Sequence, residues 1–117
     1  MTQEEKQLLL KDLYARFPYG VICLISNRSA SITEELKIGG LEAFEVGSLE
    51  VKPYLRPMSS MTMEETREFL VIPKNDSNGN LLTFTKEDWL NEHHFDYRGL
   101  IEKGLALDAP EGMYKTE

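Results

Sequence analysis

Gly20 to Ser26 is an apolar, partly β-branched run, too short for a helix of its own, and it reads as a buried strand. Such a strand belongs near the centre of a sheet, so the rest of the chain must supply its neighbours and cover. The residues before it do the covering. Thr2 and Glu5 fit a capping box, and Leu9, Leu10, Leu13, Tyr14 and Phe17 recur at helical spacing, which predicts an amphipathic helix over 3–16. Glu4 and Glu5 lie at its start and Lys11 and Arg16 nearer its end, the order the helix dipole favours, and Pro18 stops it.

After the strand, residues 27–31 are turn-forming. The apolar positions from Ile32 to Val51, punctuated by Gly39, Gly40 and Gly47, fit short antiparallel strands. Ser31 with Glu34 also matches a capping box, which leaves a helical turn over 31–37 as a competing reading. Pro53 and Pro57 frame Tyr54-Leu55-Arg56 and exclude a central strand there, so this stretch is expected at an edge or across the surface. Thr62 with Glu65 opens a helix that ends before Pro73. Lys74 to Asn80 is a polar loop with an Asn78-Gly79 turn, and Leu81 to Phe84 fit a short strand. Thr85 caps a helix over 86–94, a shorter one covers 97–103 up to Gly104, and Leu105, Leu107, Met113 and Tyr114 dock the tail. The expected fold is one α+β domain over 1–117. It has a small antiparallel sheet from the first half, an N-terminal helix, and two or three helices in the C-terminal half.

A chain of 117 residues buries roughly two-thirds of its unfolded surface, enough for a core without disulfides or a structural metal. The single cysteine, Cys23, lies inside the apolar run and reads as a small buried hydrophobe. Net charge is −7, which argues against a binder that tracks nucleic-acid phosphates, and the acidic residues are expected to be spread over helix starts and solvated faces. The N-terminus carries no secretory signal pattern. The uncharged stretch Phe17 to Asn27 is far short of the ~20 residues a spanning helix requires, so a soluble, cytoplasmic protein without a membrane partner is expected.

Chemistry-bearing patterns fail where they are most specific. Asp76, Asn78, Asn80 and Glu87 have the spacing of an EF-hand loop, but Leu81 stands where the sharp turn demands glycine. His93 and His94 are adjacent and point about 100° apart on a helix, which disfavours chelation of one ion. Helical spacing places His93 over Trp89 and His94 over Leu90. Residues 85–104 resemble a helix-turn-helix in outline, but Lys86, Arg98 and Lys103 face Glu87, Asp88, Glu92, Asp96 and Glu102, the wrong balance for a phosphate backbone. No nucleophile elbow or phosphate loop is present. Met58, Met61 and Met63 read as core filler. No catalytic, metal or cofactor residue is assigned.

The runs Lys52–Thr62 (KPYLRPMSSMT) and Trp89–Leu107 (WLNEHHFDYRGLIEKGLAL), with the opening KDLYARFPYGVIC and the closing APEGMY, resemble a family of uncharacterised small proteins. That family occurs in gut anaerobes of the Bacteroidales type and in their phages or integrated elements. The resemblance spans somewhat over half the chain and implies a bacterial or phage cytoplasmic setting, with no catalytic residues to carry over.

The expected role is therefore a small non-enzymatic interaction or accessory protein with an unidentified protein partner and no nucleic-acid ligand. Tyr54, Arg56, Trp89, His93, His94, Tyr97 and Arg98 form the candidate interaction surface, because Tyr, Trp and Arg most often dominate interfaces. Two other classes stay open: an acidic mimic of nucleic acid that blocks a DNA-binding protein, and an unrecognised hydrolase or metal-binding protein.

Overall fold

The computed structural model describes residues 1–72 and 85–114. Helix α1 spans Gln3–Arg16 and is closed at its start by the reciprocal Thr2–Glu5 capping box, with Thr2 N–H donating to Glu5 Oε1 at 2.8 Å. Leu9, Leu10 and Leu13 form its buried stripe. Pro18 sits in a 3-10 turn, Phe17–Tyr19, and Gly20 takes a left-handed φ of 72°, reversing the chain into β1, Ile22–Ser26.

β1 pairs on one side with β2, Ser31–Glu35, and on the other with β3, Glu50–Leu55, both antiparallel. The central position expected for the apolar run is what the structure shows. Asn27 Oδ1 closes the β1–β2 hairpin by accepting from the N–H groups of Ser29 and Ala30. β2 settles the competing reading of 31–37 in favour of a strand. A two-residue strand, β4, Leu107–Asp108, joins β3 in parallel, giving the order β2-β1-β3-β4. The fold is α+β with a mixed sheet; the all-antiparallel sheet expected from the first half is corrected by this C-terminal strand.

Three further expectations are corrected. Residues Ile38–Glu45 form a helix, α2, where strands were expected. Leu41 and Phe44, three apart, both bury on one face, and burying each contributes about 1.5–3 kcal/mol, against about 1 kcal/mol for each helical glycine at 39 and 40. Burial outweighs propensity here.

The second correction concerns Pro53, which lies in β3 between β1 and β4 instead of on an edge. Leu36 N–H donates to the Val21 carbonyl, so alternate β1 residues from Val21 onward turn their backbone groups to β2. Pro53, opposite Cys23, therefore faces its missing N–H away from β1, and β4 pairs only from Tyr54 onward. No ladder bond is lost.

Third, 97–103 is a set of turns. Gly99 has a φ of 74°, and the Asp96 carboxylate accepts from Leu100 and Ile101 N–H at 2.8 and 3.0 Å, ending any helix before it propagates.

Two later helices follow β3: α3, Met63–Leu70, with the Thr62–Glu65 capping box, and α4, Lys86–Glu92, capped by Thr85. α4 stops two residues before its expected end because His94 is left-handed at φ 62°. The main core joins α1, α2, β1 and β3 to Leu100, Leu105 and Ala106, so the tail docks as expected. A second cluster holds Trp89, Leu90 and Phe95 against Phe69, Ile72 and Met61. Met58 and Met63 are exposed, so of the three methionines only Met61 fills a core. The loop at 74–80, the strand at 81–84 and most of the EF-hand-like run lie outside the described residues. Among the described residues, no helix is long and apolar enough to cross a membrane.

Candidate functional site

Beyond β3 the chain keeps an extended course. Arg56 N–H donates to the His94 carbonyl at 2.7 Å, and Asp96 N–H returns a bond to the Arg56 carbonyl at 2.8 Å. This pins the Arg56 backbone beside the residues that follow α4. Its guanidinium lies 4.2 Å over the Phe95 ring and grips Glu65 with both terminal nitrogens, at 2.7 and 2.8 Å. Glu65 is also the returning member of the α3 capping box, accepting from Thr62 N–H at 2.9 Å. One carboxylate thus caps α3 and fixes Arg56. The Arg56 guanidinium, and then the Thr62 bonds, hold the Glu65 carboxyl down at about 2, against the cost of burial.

α4 supplies the facing wall. Trp89 stacks between Phe95, with centroids 5.8 Å apart, and His93, 4.1 Å away. His93 therefore packs on Trp89 as helical spacing predicts. Its Nδ1 is 3.9 Å from Glu65 and its Nε2 is 3.9 Å from Glu92, too far for hydrogen bonds, and Nδ1 is buried without a partner.

Between these walls and the 109–112 turn lies a cleft of about 930 Å³. Glu64, Glu65, Glu68, Glu92 and Glu111 line it, with Arg56 as the guanidinium among them, already engaged by Glu65. Acidic residues stand in the first turns of α1, α3 and α4 as expected, and in addition three α3 glutamates, one from α4 and one from the C-terminal turn converge on this concavity. Ser60, also in the lining, donates its hydroxyl to the Pro57 carbonyl at 2.7 Å.

The structure brings Arg56, Trp89 and His93 of the candidate surface to this cleft and places the others elsewhere. Tyr54 is half-buried on β3. His94 is buried and stacks on Tyr114, centroids 3.9 Å apart, not on Leu90. Burial, then the nearby Arg16 guanidinium, pushes the His94 imidazole down to about 4. Tyr97 and Arg98 belong to an internal network. Fully buried Asp12 accepts from Arg16 Nε at 2.8 Å and from Arg98 Nε at 3.0 Å, Arg98 donates to the Tyr97 hydroxyl at 2.8 Å, and Tyr97 donates to Asn91 at 3.0 Å. This network ties the last turn of α1 to the segment after α4. Cys23 is buried as expected, and desolvation pushes its thiol up to about 12. Among the described residues, no group of three or more His, Cys, Asp or Glu side chains is placed to hold a metal ion.

The residues that sequence reading passed over are the glutamates lining the cleft and, in the internal network, the Asp12–Arg16 pair. Glu65 was visible only as a capping residue, and Glu64 with Glu68, four apart on one helix face, was the available signal. Asp12 and Arg16 stand at helical spacing with Leu9 and Leu13, which marks them as inward-facing. Comparison with protein-family models, with curated proteins and with solved structures finds no match to the chain.

Proposed function

We propose that this chain is a small non-enzymatic interaction protein whose cleft between Arg56, α3, α4 and the 109–112 turn receives a basic side chain or short basic segment of a protein partner. The observation that carries this reading is the convergence of Glu64, Glu68, Glu92 and Glu111 on one cleft whose guanidinium is already paired. An anionic ligand meets repulsion there. An incoming arginine or lysine meets several exposed carboxylates at once, each pair contributing up to about 1 kcal/mol, so the affinity rests on their convergence. The volume is within the range of side-chain and small-ligand pockets, roughly 300–1,000 Å³, and suits one or two side chains.

The concave arrangement favours this reading over nucleic-acid mimicry, which needs carboxylates displayed along an open stripe. Hydrolysis is less favoured because the Ser60 hydroxyl is engaged with its own turn and His93 makes no hydrogen bond to a neighbouring carboxylate. A bacterial or phage accessory role is consistent with the resemblance of the Lys52–Thr62 and Trp89–Leu107 runs.

The test is a ¹⁵N-detected titration of the full chain with a hexa-arginine peptide. Amides of Glu64, Glu68, Trp89, Glu92 and His93 are expected to shift together along one binding curve. Shifts distributed equally over exposed Glu34, Glu42 and Glu50, all remote from the cleft lining, would mean attraction to net charge and would remove the cleft as a site.

A further inference from the structure

The β1–β3 ladder stops one rung early. Its register pairs Cys23 with Pro53, so the next partners are Ile22 and Tyr54. The Tyr114 hydroxyl stands between them: it accepts from Ile22 N–H at 2.8 Å and donates toward the Tyr54 carbonyl at 2.7 Å, with the Ile22 carbonyl at 3.1 Å. A side chain from the end of the described chain thus completes the sheet. The same ring stacks on His94, and the segment leading to it, Ala109 to Gly112, is a wall of the acidic cleft. Ala109 N–H, bonded to the Leu55 carbonyl at 2.8 Å, marks where this arm leaves the sheet.

We propose that residues 109–114 form a movable wall of the cleft, latched by Tyr114, and that protonation of the buried His94 ring releases the latch. The inference goes beyond partner binding, since opening of the arm needs no ligand. His94 is held in a left-handed conformation that few non-glycine residues adopt, and its Nδ1 is buried without a hydrogen-bond partner. Most groups facing it favour the neutral ring: burial first, then Arg16 from α1, neighbouring His93 and Arg56 from the end of β3 all disfavour a positive charge there, and only the hydrogen bond with the Tyr19 backbone favours it. From the arm comes the Tyr114 ring, whose phenol burial holds in its uncharged form. Both guanidiniums have their own carboxylates, Arg16 with Asp12 and Arg56 with Glu65, so neither acid is free to receive an imidazolium.

With the arm closed, a charged His94 has no water and no counter-ion; with Tyr114 lifted away, it has water. Protons therefore bind the open arm more tightly and pull the equilibrium toward it. A closed-state value of about 4 against an ordinary 6.5 gives an opening constant roughly 30-fold larger at pH 5 than at pH 8.

Amide hydrogen exchange on the full chain tests this, after correction for intrinsic rates. The arm and latch are reported by Ala109 and Ile22, and Leu36, bonded to Val21, is the reference within β1–β2. In the native sequence, Ala109 and Ile22 are expected to lose protection about 30-fold between pH 8 and pH 5 and to exchange faster than Leu36 at every pH, because the arm opens without global unfolding. His94→Asn, which tolerates the left-handed backbone and does not titrate, is expected to abolish that dependence. Tyr114→Phe keeps the stack but removes the bridging hydroxyl, and is expected to speed Ala109 exchange roughly 2- to 10-fold at every pH. The proposal is overturned if Ala109 and Leu36 show the same protection at every pH, as global unfolding alone would give, if His94→Asn leaves the pH dependence of Ala109 unchanged, or if Tyr114→Phe exchanges like the native protein. A cleft that binds hexa-arginine with a static arm would defeat the latch alone and leave the binding reading in place.

Discussion

Replacing Asp12 by alanine isolates the largest electrostatic commitment in the fold. Both carboxylate oxygens are used, one by Arg16 and one by Arg98, and the Asp12 and Arg16 side chains are fully buried. Without the carboxylate, Arg16 keeps only the Phe95 carbonyl as a partner, and its Nη1 is already without one. Arg98 retains some exposure and can rehydrate. Breaking a buried pair from one side costs about 3–5 kcal/mol, whereas an exposed pair is worth less than about 1. Against a total stability of about 5–15 kcal/mol for a domain, Asp12→Ala removes a large fraction. The assay is reversible urea unfolding followed by circular dichroism and Trp89 fluorescence. Asp12→Ala is expected to lose about 3–5 kcal/mol, and Arg98→Ala about 1. The double variant Asp12→Leu with Arg16→Met is expected to recover most of the loss, because an apolar pair leaves no unpaired charge. A loss below 1 kcal/mol for Asp12→Ala, or a double variant worse than either single one, refutes the buried-charge reasoning.

Other expectations follow from the same geometry. Stability should fall in two acid limbs. The neutral His94 contributes stability that is complete above about pH 6.5 and lost as pH falls toward 4, up to about 3 kcal/mol, and urea midpoints for His94→Asn should be flat across that window. The ionised Glu65 contributes above about pH 4.5 and its share is lost as pH falls toward 2, a limb that Glu65→Gln should erase in the same series. Cys23 should resist a thiol reagent in the native protein at pH 8 and react on unfolding; prompt native reaction would contradict its burial. Gly39→Ala, with open space at its Cβ position, should stabilise α2 by roughly 0.5 kcal/mol, while Gly47→Ala, at φ 87°, should cost about 1 kcal/mol by thermal or urea unfolding.

What was legible in the sequence followed the local signals that physics makes strong. Capping boxes at Thr2 and Thr62 and the N-cap at Thr85 place three helices, because each satisfies orphan N–H groups with a residue at fixed spacing. The apolar run around Cys23 gave the central strand. Failures arose where a tertiary contact decided the outcome. Gly39 and Gly40 look like turn residues until Leu41 and Phe44 find the core, and Pro53 looks like an edge marker until the register shows its missing donor facing away from β1. Arg56, Trp89 and His93 were nameable in advance as anchors, but their convergence with glutamates from α3, α4 and the C-terminal turn depends on how distant segments pack. No spacing rule reports that.

The most direct test of the cleft reading compares affinity for hexa-arginine, followed by the fluorescence of Trp89, the one tryptophan in the chain, among three proteins of controlled charge. Glu64→Lys with Glu68→Lys reverses charge inside the cleft, and Glu34→Lys with Glu42→Lys makes the same change in net charge on exposed residues outside its lining. The cleft pair is expected to weaken binding at least about 30-fold, equivalent to some 2 kcal/mol, and the remote pair by less than about threefold. Equal weakening by both pairs would show that the peptide reads only the overall negative charge, and the cleft would lose its claim as the binding site.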